Sequence, residues 1–246
     1  MSRGGLFGKE FFDSGRETSA TYATYTRSSM LLGFERMASR LVSMFNPRKV
    51  LDIGCAKGFL VLAFRNLGVE SYGVDVSEYA ISQAPSDVRP YLAQVDLDRD
   101  SLPFEDRSFD LITALGVLEF LDNHPRALSE VMRVIDDDGV LYVEFGYKKW
   151  YQKDRLACEK YQIKLHDSKA WTRMIESQGF EFIPTTTADC FYSVKIQDLL
   201  EQGTNPKIRV ARCISKCPRL GKSILIQYLT RKTGVGTLLF RPRKLA

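Results

Sequence analysis

From Met30 to Phe45 the apolar residues Leu31, Phe34, Met37, Ala38, Leu41 and Phe45 recur every three or four positions, the spacing of an amphipathic helix, and Asn46-Pro47 ends it. Beyond that point short β-branched and apolar runs alternate with helical stretches. Lys49–Ile53 reads as a buried strand, Phe59–Leu67 as a helix closed by Gly68, Ser71–Val76 as a second strand and Glu78–Gln83 as a short helix. Tyr91–Val95 gives a third strand, Phe109–Ala114 a fourth, Arg126–Ile135 a helix, and Val140–Phe145 a fifth strand after the turn Asp136-Asp137-Asp138-Gly139. Trp171–Ser177 is a further helix before Gly179, and Phe182–Thr187 a sixth strand. The pattern then loosens until Thr237-Leu238-Leu239-Phe240 restores a strand-like run.

Strands separated by helices require crossover connections, so the expected fold is α/β, a mostly parallel seven-stranded sheet with helices on both faces. Residues 1–46 form an N-terminal arm and helix, placed as a lid. Residues 47–189 form the core, and 190–246 a basic excursion that ends in the last strand.

Composition excludes several alternatives. With 246 residues, 44% apolar and 26% charged, the chain can build its core without disulfides or a structural metal. Cys55, Cys158, Cys190, Cys213 and Cys217 are scattered, and with two histidines they offer no zinc spacing, so no metal is expected. No apolar run reaches the roughly 18 to 20 residues of a membrane span, and Met1–Glu10 has no apolar signal core. The expected location is cytoplasmic.

Charge is unevenly spread. From Gln202 onward there are eleven Lys or Arg and no acid, whereas the first 201 residues hold all thirty acids against twenty-four bases. These bases interleave with Ile224-Leu225-Ile226, Tyr228-Leu229 and Leu238-Leu239-Phe240, which suits an anionic membrane surface at the inner face, or else a solvated insertion. Tyr228 and Phe240 are the only aromatics of residues 202–246, too few for a nucleic-acid stacking groove.

Ligands of open parallel sheets bind at the carboxyl ends of the strands, near the first one. There the chain reads Val50-Leu51-Asp52-Ile53-Gly54-Cys55-Ala56-Lys57-Gly58-Phe59. The glycines permit a tight turn and a close backbone approach, but the Gly-x-Gly-x-x-Gly of dinucleotide enzymes is missing. Asp52 would repel a pyrophosphate and welcome a cationic ligand. Asp75 closes the second strand, where it can accept hydrogen bonds from a ribose diol.

These residues resemble the class I S-adenosylmethionine-dependent methyltransferases. The resemblance rests on Asp52-x-Gly54-x-x-x-Gly58, Gly73-Val74-Asp75-Val76-Ser77, Leu102-Pro103-Phe104-Glu105-Asp106-Arg107-Ser108-Phe109-Asp110-Leu111-Ile112, Leu115-Gly116-Val117-Leu118-Glu119 and Val134-Ile135-Asp136-Asp137-Asp138-Gly139-Val140-Leu141. It covers about residues 48–184 and implies a Rossmann-like fold with S-adenosylmethionine as cofactor. It further implies that Asp52, Gly54, Cys55, Ala56 and Gly58 line the methionine portion, Asp75 holds the ribose, and Val76 lies beside the adenine. Asp96, preferred to Asp98, with Leu97 would meet the adenine amino group. Leu115 and Gly116 would lie under the methionine end. Relatives often carry His after the residue matching Glu119, where this chain has Phe120. Lys57 stands where a small residue is commoner, and is expected to point to solvent or else to an anionic acceptor.

For the acceptor side, His166 in Leu165-His166-Asp167 matches a position where relatives acting on glycans or small molecules carry His; otherwise it neighbours a helix cap. Glu144 and Tyr147 lie at and after the end of the fifth strand, on the ligand-binding edge or as a solvated carboxylate and edge packing. His124 is either near the acceptor or on the surface. Tyr22 and Tyr25 fold over the cofactor or pack the arm. The implied activity is methyl transfer to a small molecule or glycan, such as a lipid-linked sugar. A catalytically silent scaffold and an RNA methyltransferase are the alternatives.

Overall fold

The computed structural model describes residues 3–13, 25–146, 154–164, 166–183 and 235–243. Among these residues seven strands form one sheet: β1 Lys49–Ile53, β2 Glu70–Asp75, β3 Leu92–Gln94, β4 Phe109–Leu115, β5 Ile135–Gly146, β6 Phe180–Phe182 and β7 Val235–Pro242. Their order is β3-β2-β1-β4-β5-β7-β6. Neighbours from β3 to β5 are parallel, and β7 runs antiparallel to both β5 and β6. The helices are α1 Lys9–Asp13, α2 Arg27–Phe45, α3 Phe59–Asn66, α4 Glu78–Ser82, α5 His124–Val134, α6 Arg155–Tyr161 and α7 Ser168–Glu176.

The two-residue period of the strands sorts their side chains to two faces. Val50, Leu111, Tyr142 and Leu239 point to one side, against Met37, Ala38 and Leu41 of α2 and Leu60, Ala63 and Phe64 of α3. Their neighbours Leu51, Ile112, Leu141, Leu238 and Phe240 point to the other, against Leu128 and Val131 of α5 and Trp171 and Ile175 of α7. Strands buried on both faces explain the continuous apolar runs in the sequence. α2 begins with a capping box, the Thr26 hydroxyl accepting from the Ser29 amide at 3.4 Å and the Ser29 hydroxyl accepting from the Thr26 amide at 3.1 Å. It ends as Asn46 turns to a left-handed φ of 45° and donates to the Val42 carbonyl.

The register sets up the site. Ile53 lies opposite Val74 on one side and Ala114 on the other, so β1, β2 and β4 finish together and their following loops share one edge.

Some boundaries differ from the sequence expectation. β6 occupies Phe180–Phe182 rather than starting at Phe182, because Phe180 pairs with Pro242 and Phe182 with Phe240; residues 184–187 lie outside the described ones. The expected acidic turn before β5 is instead a bulge within it: Phe109 pairs with Ile135 and Leu111 with Val140. α6 and the arm's elements, a 3₁₀ turn at Arg3–Phe7 followed by α1, were not expected. Short segments stabilised by distant partners leave little periodicity to read.

Candidate active site at the carboxyl edge of the sheet

The turn after β1 begins with the Gly54 and Cys55 amides both donating to the Val74 carbonyl at 2.8 and 3.0 Å, which fastens the loop to β2. Gly54 has φ +71°, and a Cβ there would come within 2.2 Å of Val117. The loops after β1 and β4 therefore approach as closely as only glycine allows. Ala56 also has positive φ, and Gly58 at φ +74° starts α3.

Two buried carboxylates flank this turn. Asp52, 4% exposed, accepts from the Thr113 hydroxyl at 2.7 Å. Asp75, 9% exposed, accepts from the Ala56 amide and from the Ser77 amide, each at 2.8 Å, so it shapes the turn it borders. Burial pushes the Asp52 carboxyl up to about 7, against the Thr113 hydrogen bond and helped by the negative charge of Asp75. Burial raises Asp75 too, with its amide hydrogen bonds opposing. Carboxylates that disfavour each other's ionisation form a cradle for a cation. A sulfonium with a ribose fits this donor set; a pyrophosphate does not.

The remaining cofactor candidates line the same edge. Val76 follows Asp75 and accepts at its carbonyl from the Gln94 side chain. Asp96 follows β3, accepting from the Asp98 amide at 3.1 Å and lying 3.8 Å from Arg99. Leu97 is buried. Asp98 is engaged differently, accepting from the Asp122 and Asn123 amides and so pinning the chain beyond β4. Leu115 ends β4, and Gly116 donates to the Glu144 carbonyl at 2.8 Å. Cys55 is buried, with its thiol pushed well above its ordinary value by burial and by the two acids, which keeps it neutral.

The acceptor-side candidates separate. Glu144 sits in β5 opposite Leu115 and Thr237. Tyr147 and Tyr22 lie outside the described residues. His166 is set edge-on to Trp171 at 4.9 Å and lies 6.4 Å from His124. The cap of α7 is Asp167, which accepts from the Ala170 amide. His124 is buried, against the surface alternative: its Nε2 meets the Leu118 carbonyl at 2.8 Å, and burial lowers its pKa, favouring the neutral ring. Tyr25 is buried and stacks on Phe59 at 5.5 Å.

Lys57 corrects the sequence expectation. It points neither to solvent nor to an open acceptor site: it is 6% exposed, and its Nζ lies 2.8 and 2.9 Å from the two carboxylate oxygens of Asp13 in α1. Tyr79 of α4 donates to the same carboxylate at 2.6 Å. The Ser77 hydroxyl donates to the Phe7 carbonyl, and a Cβ on Gly4 would lie 2.6 Å from the Val76 carbonyl oxygen. The arm is thus bonded to the loop and to the strand end that would hold the cofactor. These hydrogen bonds join residues 44 to 70 positions apart, beyond the reach of local pattern. A Lys inside the glycine turn and an acid after Phe11-Phe12 were their only sequence signals. Replacing Asp13 by Asn should weaken arm closure by about 1 to 3 kcal/mol, because Lys57 loses its counter-charge. Faster hydrogen exchange confined to residues 3–13 would report it; unchanged exchange there would show that the ion pair does not hold the arm.

Residues 51–143 match the family described as Methyltransferase domain. Among curated relatives, the chain is 31% identical over 94 residues to the mitochondrial arginine-hydroxylase NDUFAF5 of Mus musculus, covering 37% of this chain and 26% of that one. It is 32% identical over 120 residues to the malonyl-[acyl-carrier protein] O-methyltransferase of Halorhodospira halophila, covering 46% of this chain and 40% of that one. The chain thus spans less than half the length of these relatives. A TehB-like SAM-dependent methyltransferase from Corynebacterium glutamicum shares the fold, with a TM-score of 0.53 at 20% identity over 85% of this chain and 88% of the other. The matched residues begin in β1 and end in β5, and so contain both acids, the glycine turn and the β4 loop. Residues 51–143 thus match a methyltransferase domain, and the chain shares the fold of an S-adenosylmethionine-dependent methyltransferase.

Proposed function

We propose that the chain transfers a methyl group from S-adenosylmethionine to a small-molecule or glycan acceptor. The observation that supports this most is the pair of buried acids, Asp52 and Asp75, on either side of the Gly54–Gly58 turn. The cofactor supplies an already activated methyl on a sulfonium, so the protein's work is chiefly alignment. Asp52 favours the cationic end. Asp75 serves the ribose, and Val76, Asp96 and Leu97 the adenine. Leu115 and Gly116 support the methionine portion from below. In the displacement the methyl–sulfur bond breaks as the acceptor–methyl bond forms, and the acceptor's proton passes to a base or to water. His166, Glu144 and Tyr147 are the proposed acceptor-side groups, a base being needed only for an acceptor that stays protonated until attack.

The test is release of S-adenosylhomocysteine on mixing the protein and S-adenosylmethionine with sugars, lipid-linked glycans and small hydroxylated rings. Release that depends on an acceptor supports methyl transfer. Tight cofactor binding with no release for any acceptor would favour the silent scaffold. Residues 202–234 lie outside the described ones; of the C-terminal bases, Arg241 pairs with Glu181 at 3.2 Å. We propose an anionic membrane surface as a second partner of this segment. The protein should float with anionic vesicles at low salt, and its absence from the floating fraction would refute this.

A further inference from the structure

The methyl-bearing end of the site is bounded by the loops after β1 and β4, which touch at Gly54 and Val117. Phe120, in the loop after β4 with its amide donating to the Val117 carbonyl at 2.9 Å, and Tyr161, the last residue of α6, meet the same arm rings and so form one aromatic face. Rings from the arm cover it. Phe7 stacks on Tyr161, with centroids 6.0 Å apart and planes inclined by 24°, and meets Phe120 edge-on at 5.5 Å. Phe11 meets the same two rings edge-on at 5.2 and 6.4 Å. Ala56 of the turn after β1 and Phe59 of α3 belong to the same buried cluster as these rings. Charged groups stand at the rim, each core lysine matched by an acid of the arm: Lys57 by Asp13, and Lys160 by Glu10 at 3.5 Å.

We propose that the Phe120–Tyr161 face is the acceptor subsite, that it takes a flat uncharged ring, and that Phe7 and Phe11 hold this place until an acceptor arrives. The proposal rests on the methyl-transfer function above and narrows its acceptor class. The supporting observation is the occupant: two rings of a segment outside the sheet, Phe7 and Phe11, make one stacked and three edge-on contacts with this face, the geometries that aromatic partners prefer. A sugar laid there would desolvate its hydroxyls against the Phe120 ring, which offers them no hydrogen bond.

The test is calorimetric titration of the S-adenosylhomocysteine-loaded protein with 2-naphthol, and with methyl α-glucoside as the polar comparison. We expect saturable binding of 2-naphthol and none of the glucoside. The double variant Phe7→Ala, Phe11→Ala should bind 2-naphthol about tenfold more tightly, because the internal competitor is gone, and Phe120→Ala should bind it about tenfold more weakly. The diagnostic is release of S-adenosylhomocysteine when the double variant is given S-adenosylmethionine and 2-naphthol, since a cavity left in a packed core can take up an aromatic ring but does not present it to a methyl group. The proposal fails if the double variant binds no 2-naphthol, if Phe120→Ala leaves its binding unchanged, or if the glucoside binds instead. Failure of S-adenosylhomocysteine itself to bind would strike the methyl-transfer function rather than this subsite.

Discussion

Asp75→Ala should lower cofactor affinity by about a hundredfold or more and also destabilise the protein by about 2 to 4 kcal/mol. Both effects have one origin. The carboxylate accepts from the Ala56 and Ser77 amides, so its removal leaves two buried donors unpaired and releases the turn that must approach the ligand. The ribose diol loses its acceptor at the same time. Asp75→Asn should lie between: its amide oxygen can satisfy one donor, while its NH₂ group faces the other. Calorimetry with S-adenosylhomocysteine and denaturant unfolding would read the two effects separately. Near-normal affinity in Asp75→Ala would remove the ribose assignment, whatever its stability.

Asp52→Asn should move stability and binding in opposite directions. In the folded chain the carboxyl titrates near 7, against an ordinary 3.8. Between about pH 4 and 7 the native state therefore holds a proton that the unfolded state has lost. The stability owed to this group is fully present below about pH 4 and disappears as pH rises through 7. Asparagine stays neutral throughout and can still accept from the Thr113 hydroxyl. The variant should thus match the parent near pH 4 and exceed it by about 2 to 4 kcal/mol at pH 8. Affinity for the cationic cofactor should fall about tenfold to a hundredfold at pH 8, because only the carboxylate attracts it. The parent should gain cofactor affinity between pH 6 and 8, and the variant should not. Equal pH dependence in the two proteins would show that another group titrates.

The division between what was legible in the sequence and what was not follows sequence distance. β1, β4 and β5 stand out because strands covered on both faces read as largely apolar runs, and Leu51, Ile112 and Val143 are indeed buried. The cofactor edge is legible because its chemistry is local: Asp52, Gly54 and Gly58 lie within one turn, and Asp75 ends the next strand. The arm is not, because its bonds run from Asp13 to Lys57 and Tyr79, and from Phe7 to Ser77. A lysine between glycines looks solvent-exposed until the acid that buries it is in place. β6 is only three residues long and is placed by pairing with β7, about sixty residues later, rather than by its own alternation. His124 at the start of α5 has the sequence context of a surface residue, yet Trp171 and Leu118 enclose it.

The most direct measurement is calorimetric titration of the protein with S-adenosylmethionine and S-adenosylhomocysteine at pH 8, with NAD as the comparison. Saturable one-to-one binding of both sulfur compounds and none of NAD is the predicted result, since Asp52 and Asp75 select a cation with a ribose and reject a pyrophosphate. Binding of NAD with neither sulfur compound would contradict the account at its centre.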